Sequence, residues 1–166
     1  MIKRVAVLLL LTACASPAVV PGAAVQEVSG RMPALEGAAL AGGTLTSSDY
    51  AGRVVVVNFW ATSCAPCRRE QPILSAAQSR AGDDGPFFIG VNHREGEDAA
   101  RAYLDEFDVR YPSLADPAGD IAYRFGVPFL PTTVVIDADG RLRYRIAGAI
   151  DEETLDDLLS RVTAGE

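Results

Sequence analysis

The amino-acid sequence predicts an α/β fold, a central mixed β-sheet flanked by helices. Three observations carry that expectation. Residues 54–59 (VVVVNF) and 87–91 (FFIGV) are short apolar runs, the pattern of strands buried on both faces. A stretch of helical length follows each of them. Near the C-terminus two further strand-like runs, 132–136 and 142–146, flank the tight-turn tetrapeptide Asp137-Ala138-Asp139-Gly140. Strand, helix, strand, helix, then a hairpin and a last helix is the order of layers packed around one mixed sheet.

Taken in order, a short N-terminal β-hairpin extension is expected over residues 38–46, turning at Gly42-Gly43. Ser47-Ser48-Asp49-Tyr50 suggests a turn or one helical turn. After the first buried strand comes a helix over about 66–81, stopped by Gly82-Asp83-Asp84-Gly85. The second buried strand leads to a helix over 96–107, a weakly extended segment at 111–114 and a short helix at 120–125. The terminal helix, 150–162, places Leu155, Leu158, Leu159 and Val162 on one face.

The chain has 166 residues, 49% apolar and 22% charged, which suits one globular domain with a real core. A formal charge of −7 argues against a nucleic-acid partner. The first residues, MIKRVAVLLLLTACAS, place two basic side chains before an apolar run at 5–11 and then small residues. That is the layout of a secretory signal peptide, and the run is too short to span a bilayer. Leu11-Thr12-Ala13-Cys14 resembles a bacterial lipobox, in which the cysteine receives a diacylglyceryl group and becomes the new N-terminus. Ala13-Cys14-Ala15 also fits an ordinary small-x-small cleavage site, which would discard Cys14. The lipobox reading is preferred because it accounts for that cysteine. The expected division is a signal peptide at 1–13, a flexible lipoprotein tether at 14–33 rich in Pro, Ala, Gly and Val, and a globular domain at 34–166. Either cleavage exports the chain, and outside the cytoplasm thiols stay reduced only where electrons are supplied.

Cys64-Ala65-Pro66-Cys67 lies between the first buried strand and the first helix. There Cys64 falls at or near the N-cap, where free N–H groups and the helix dipole favour a thiolate. Cys67 is one turn deeper on the same face, so the two sulfurs can be bridged. Pro66 needs no N–H in a first turn and stiffens the loop. Arg68 either adds positive potential or is a solvated helix residue. A zinc site lacks ligands, since Cys14 is at the other end of the chain and His93 is the sole histidine. A structural staple would more often close a long loop. An exchangeable redox pair leads these three readings, with no cofactor beyond the disulfide itself.

Asn58-Phe59-Trp60-Ala61-Thr62-Ser63-Cys64-Ala65-Pro66-Cys67 resembles the NFWATWCxPC signature of the exported TlpA/ResA-type thiol-disulfide oxidoreductases, within the thioredoxin superfamily. Glu70 and Pro72 match the ExP that follows. Gly126-Val127-Pro128-Phe129-Leu130-Pro131-Thr132-Thr133 is similar to the GV-x-x-x-PTT segment, and Ile136-Asp137 with Gly140 matches ID-x-x-G. The likeness runs from about residue 33 to the C-terminus. It implies a thioredoxin fold and a cis peptide before Pro131 facing the cysteines, with the Leu130 backbone presented to a substrate chain. Trp60, Ser63, Ala65, Pro66 and Leu130 would surround the pair where a partner docks, Trp60 by packing beside it. Glu70 would take the Cys67 proton, or else be a surface acid at the helix dipole. Two residues depart from the usual pattern: Ser63 replaces a tryptophan, and Asn58 stands where cytoplasmic thioredoxins carry a buried Asp. His93 reads as a surface loop residue.

The function implied is extracytoplasmic and membrane-tethered: reduction of protein disulfides, apocytochrome c among the candidates, with electrons returned by a membrane thiol donor. A thiol peroxidase is the alternative enzyme, although T-x-x-C would need Thr where Ala61 stands. A non-catalytic binding module on the same fold is the alternative outside enzymes.

Overall fold

The computed structural model describes residues 22–165. The expected signal peptide and the expected lipidation site Cys14 lie outside the described residues.

Six strands build the main sheet: β1 (Ala24–Glu27), β4 (Val55–Trp60), β5 (Phe87–His93), β6 (Ser113–Asp116), β7 (Thr132–Ile136) and β8 (Leu142–Ala147). Their spatial order is β1-β8-β7-β4-β5-β6. The β4, β5 and β6 neighbours are parallel, and the β4–β7, β7–β8 and β8–β1 pairs are antiparallel. The mixed sheet expected from the sequence is therefore present, and the fold is thioredoxin-like. A separate two-stranded sheet joins β2 (Gly37–Ala38) to β3 (Thr44–Leu45) and forms the expected N-terminal hairpin. Its Gly42 and Gly43 both adopt positive φ, 97° and 82°, which side-chain-bearing residues resist.

One expectation is corrected at the N-terminus. Residues 24–27 were assigned to the tether, yet they form β1 and pair antiparallel with β8, Ala24 opposite Ala147. All four residues are exposed, so backbone hydrogen bonding rather than burial holds this edge strand.

Alternation along the strands divides the core. Val55, Val57 and Phe59 of β4 face a cluster with Ile89, Val91, Phe125 and Val134. Val56, on the opposite face, packs with Leu74 of α1 (Ala65–Ala81) and with Leu155, Leu158 and Val162 of α4 (Glu152–Ala164). Fully burying each such side chain stabilises the fold by about 1.5–3 kcal/mol. A third cluster lies at the carboxyl end of β4, where Trp60, Cys67 and Leu40 meet Ala100, Tyr103 and Leu104 of α2 (Glu97–Glu106). Parallel β4 and β5 bring their carboxyl ends together, with Trp60 opposite Asn92. The redox pair sits at that shared end.

Candidate active site

β4 ends at Trp60, and the chain turns through Ala61, Thr62 and Ser63 into α1. Cys64 is the N-cap of that helix, in extended conformation, and its Sγ accepts a hydrogen bond from the Cys67 backbone N–H at 3.2 Å. Pro66 lies in the first turn, where a missing N–H leaves nothing unsatisfied. Cys64 and Cys67 form a disulfide with their Cα atoms 5.3 Å apart. The two sulfurs are not equivalent: Cys64 is half-buried, whereas Cys67 is 1% exposed. A substrate disulfide can therefore reach Cys64 while Cys67 stays covered.

One turn beyond Cys67, α1 carries Glu70 into the interior, where it is only 1% exposed. Asn58 Nδ2 donates to its Oε1 at 2.8 Å, and the backbone N–H of Ile150 donates to Oε2 at 2.9 Å. Asn58 also donates to Thr133 Oγ1 at 3.0 Å, which ties β4, β7 and α1 together beneath the pair. Burial pushes the Glu70 pKa from 4.5 up to about 7, and the two hydrogen bonds offset this only in part. Asn58, noted in the sequence as standing where cytoplasmic thioredoxins carry a buried Asp, is thus a hydrogen-bond donor to the buried Glu70 carboxyl group. The surface-acid reading of Glu70 is overturned by its burial.

Trp60 is 1% exposed and stacks on Tyr103 with ring centroids 4.3 Å apart. It packs beside the pair as expected, in one cluster with Cys67 and α2, but its burial removes it from the residues that could face a partner. The Tyr103 hydroxyl donates to the Cys67 carbonyl at 3.3 Å. Burial, with the charge of Glu70 second, holds that hydroxyl protonated above its ordinary range. Arg68 pairs with Glu106 and lies over the rings of Tyr103 and Phe107. Its charge is committed to α2 rather than free beside the sulfurs.

The Leu130–Pro131 peptide bond is cis. Leu130 and Cys64 both pack against the cluster that contains Cys67. Ser63 and Ala65 are exposed, Pro66 is half-buried, and Phe129, next to Leu130 in sequence, is 56% exposed. His93 is the last residue of β5, its Nδ1 lying 3.6 Å from Asp116 Oδ2. Asp116 itself accepts from the N–H groups of Ile121 and Ala122. His93 therefore belongs to strand-end structure rather than to an exposed loop.

Sequence reasoning missed Glu95. From the loop after β5 it accepts from Thr62 N (2.7 Å), Thr62 Oγ1 (2.8 Å), Ser63 N (3.3 Å), Ser63 Oγ (3.4 Å) and Asn92 Nδ2 (3.0 Å). The available signal was positional: a polar run, Asn92-His93-Arg94-Glu95, at the carboxyl end of a parallel strand, where α/β sheets gather their sites. No cluster of three or more metal-ligating side chains occurs among the described residues. No helix among them is long and apolar enough to cross a membrane.

The redoxin family profile matches residues 21–159. The chain belongs to the redoxin family. It is 31% identical over 124 residues to the thiol-disulfide oxidoreductase ResA of Bacillus thuringiensis subsp. konkukian, an overlap covering 75% of this chain and 72% of that one. It is 37% identical over 115 residues to the thiol:disulfide interchange protein HelX of Rhodobacter capsulatus, covering 69% of this chain and 63% of HelX. Among solved structures, a thioredoxin-family thiol:disulfide interchange protein from Chlorobium tepidum superposes with a TM-score of 0.75 at 25% identity, covering 81% of this chain and 97% of that one. With these relatives, the chain is a thiol-disulfide oxidoreductase of the ResA type.

Proposed function

We propose that this oxidoreductase is exported, tethered to a membrane through Cys14, and reduces disulfides in protein substrates. The observation that supports the order of events is the unequal exposure of the two sulfurs. The Cys64 thiolate attacks one sulfur of a substrate disulfide, forms a mixed disulfide and expels the other substrate sulfur as a thiolate. Cys67 then loses its proton to the Glu70 carboxylate and attacks Cys64 Sγ. The Cys64–Cys67 disulfide forms, the second substrate thiolate leaves, and two electrons have passed to the substrate. A carboxyl group whose pKa is about 7 suits this proton transfer, because both of its forms are populated near neutral pH.

Pro131 has no N–H, so the Leu130 backbone beside it is open to pair with an extended substrate segment. Ser63, Ala65, Pro66 and Leu130 would line that contact. Export follows from the signal-like first residues, and it requires a membrane thiol donor to return electrons to the oxidised pair. The family resemblance suggests apocytochrome c as one substrate. Trapping with Cys67→Ala tests this reading. The variant should accumulate in cells as a mixed disulfide on Cys64, and the captured protein names the substrate. No captured partner, or capture that survives Cys64→Ala, overturns it.

A further inference from the structure

We propose that Glu95 is a positioning residue for Cys64: it ties down the turn that presents the nucleophile and sets a fixed negative charge beside it that opposes the thiolate. The proposal rests on the exchange reading above and deepens it.

Geometry carries the argument. Four of the five hydrogen bonds that Glu95 accepts come from Thr62 and Ser63, the two residues immediately before Cys64. The fifth comes from Asn92, opposite Trp60 on the neighbouring strand. The carboxylate thus replaces the missing ladder partner where β4 leaves the sheet, and it fixes the turn from a second strand. Ser63 has a role here that its identity alone does not reveal. Where the family pattern has an apolar indole, this chain has a hydroxyl that completes the shell around Glu95.

The charge persists. Partial burial pushes the Glu95 pKa up, but the backbone N–H of Thr62, the amide of Asn92, the Thr62 hydroxyl and the Ser63 N–H outweigh it, and the net shift is downward. Those donors are all neutral, so they orient the charge without cancelling it. Titratable groups lie on the elements around the pair. Arg68, Arg69 and Glu70 come from α1, and Tyr103 and Glu106 from α2. Arg68 is held by Glu106, Arg101 is taken by Glu97 and Asp98, and His93 faces Asp116. The 127–131 loop carries no titratable side chain. The N-terminus of α1 favours a Cys64 thiolate and Glu95 opposes it. A reduced pair that is less stabilised as a thiolate gives up its electrons more readily, the direction a reductant needs.

The test is the pH profile of Cys64 alkylation by iodoacetamide in the reduced full-length protein, followed by mass spectrometry of the Cys64 peptide. Glu95→Gln should move the midpoint to lower pH and speed alkylation on the acid side about three- to tenfold, the size of effect expected from removing one nearby charge. Glu95→Ala should do the same. It removes a half-buried side chain outside the three apolar clusters, so it leaves the core intact if Gln disturbs the turn. Glu95→Asp keeps the charge and should keep the wild-type midpoint, and 1 M salt should shrink the Gln effect. Profiles for Gln and Ala that superimpose on wild type, or an Asp profile that shifts as far as Gln, overturn the proposal. Alkylation needs no substrate disulfide. A negative result here therefore leaves the exchange reading standing, and a failed trap would not explain a shifted profile.

Discussion

Glu70 and Glu95 are the same chemical group, one a turn beyond Cys67 and one bonded to the turn before Cys64, and their surroundings drive them in opposite directions. Glu70 is 1% exposed with two donors, and its pKa rises to about 7. Glu95 is half-buried with five donors, and its pKa is lowered. The difference teaches that a carboxylate's behaviour at a site follows the balance of desolvation against donors. One becomes able to accept and release a proton near pH 7. The other remains a fixed charge.

That contrast breaks outright if Cys64→Ala still reduces disulfides, since both carboxyl groups would then flank a bystander; activity at background is expected in a turbidity assay of insulin reduction. Next in size is stability against pH. Because the folded Glu70 pKa lies above its unfolded value, the folded state binds the extra proton, and this contribution is complete below about pH 4.5 and lost as pH rises through about 7. Relative to Glu70→Gln, the wild type should lose about 3 kcal/mol across that window, read from denaturant melts at each pH. Parallel curves would show that Glu70 titrates normally. Asn58→Ala sharpens the comparison from the donor side. It leaves Glu70 Oε1 without its partner, should cost about 1–3 kcal/mol, and should raise the Glu70 midpoint further in a carboxyl carbon NMR titration. Smallest is Arg80→Ala, which removes exposed pairs with Glu152 and Asp156 between α1 and α4. A loss of less than about 1 kcal/mol in melting free energy, with both carboxyl groups unaffected, is expected.

How much of this was legible in the sequence follows from what each part depends on. The buried strands were visible because burial on both faces writes continuous apolar runs, and β4, β5, β7 and β8 fall within two residues of their expected bounds. β1 was invisible because its four residues are exposed and held by backbone bonds to β8, which leave no hydrophobic pattern. The strand expected at 111–114 begins instead at Ser113, since Pro112 has no N–H for a ladder and contributes only its carbonyl, to Gly90 N. At the site, Cys64 and Cys67 were legible from their place at a strand-to-helix junction, and Glu70 from its match to the family's ExP one turn beyond Cys67, whereas its burial depends on Asn58 and Ile150 from distant parts of the chain. Glu95 was not, because its partners Thr62 and Ser63 lie 33 and 32 residues away and meet it only through the parallel pairing of β4 with β5. Trp60 was legible as a neighbour of the pair, but the inward turn of its ring depends on Tyr103 from α2.

The most direct measurement is a single turnover of the reduced protein with an aromatic disulfide that releases a coloured thiolate at each of the two steps. In the wild type the second release should follow the first closely and quicken as pH rises through about 7, where Glu70 becomes a base. Glu70→Gln should leave the first release unchanged, slow the second about 10²-fold and erase that inflection. Equal slowing of both releases, or a second release as fast as wild type, would contradict the assignment of Cys64 as the outward nucleophile and Glu70 as the acceptor of the Cys67 proton.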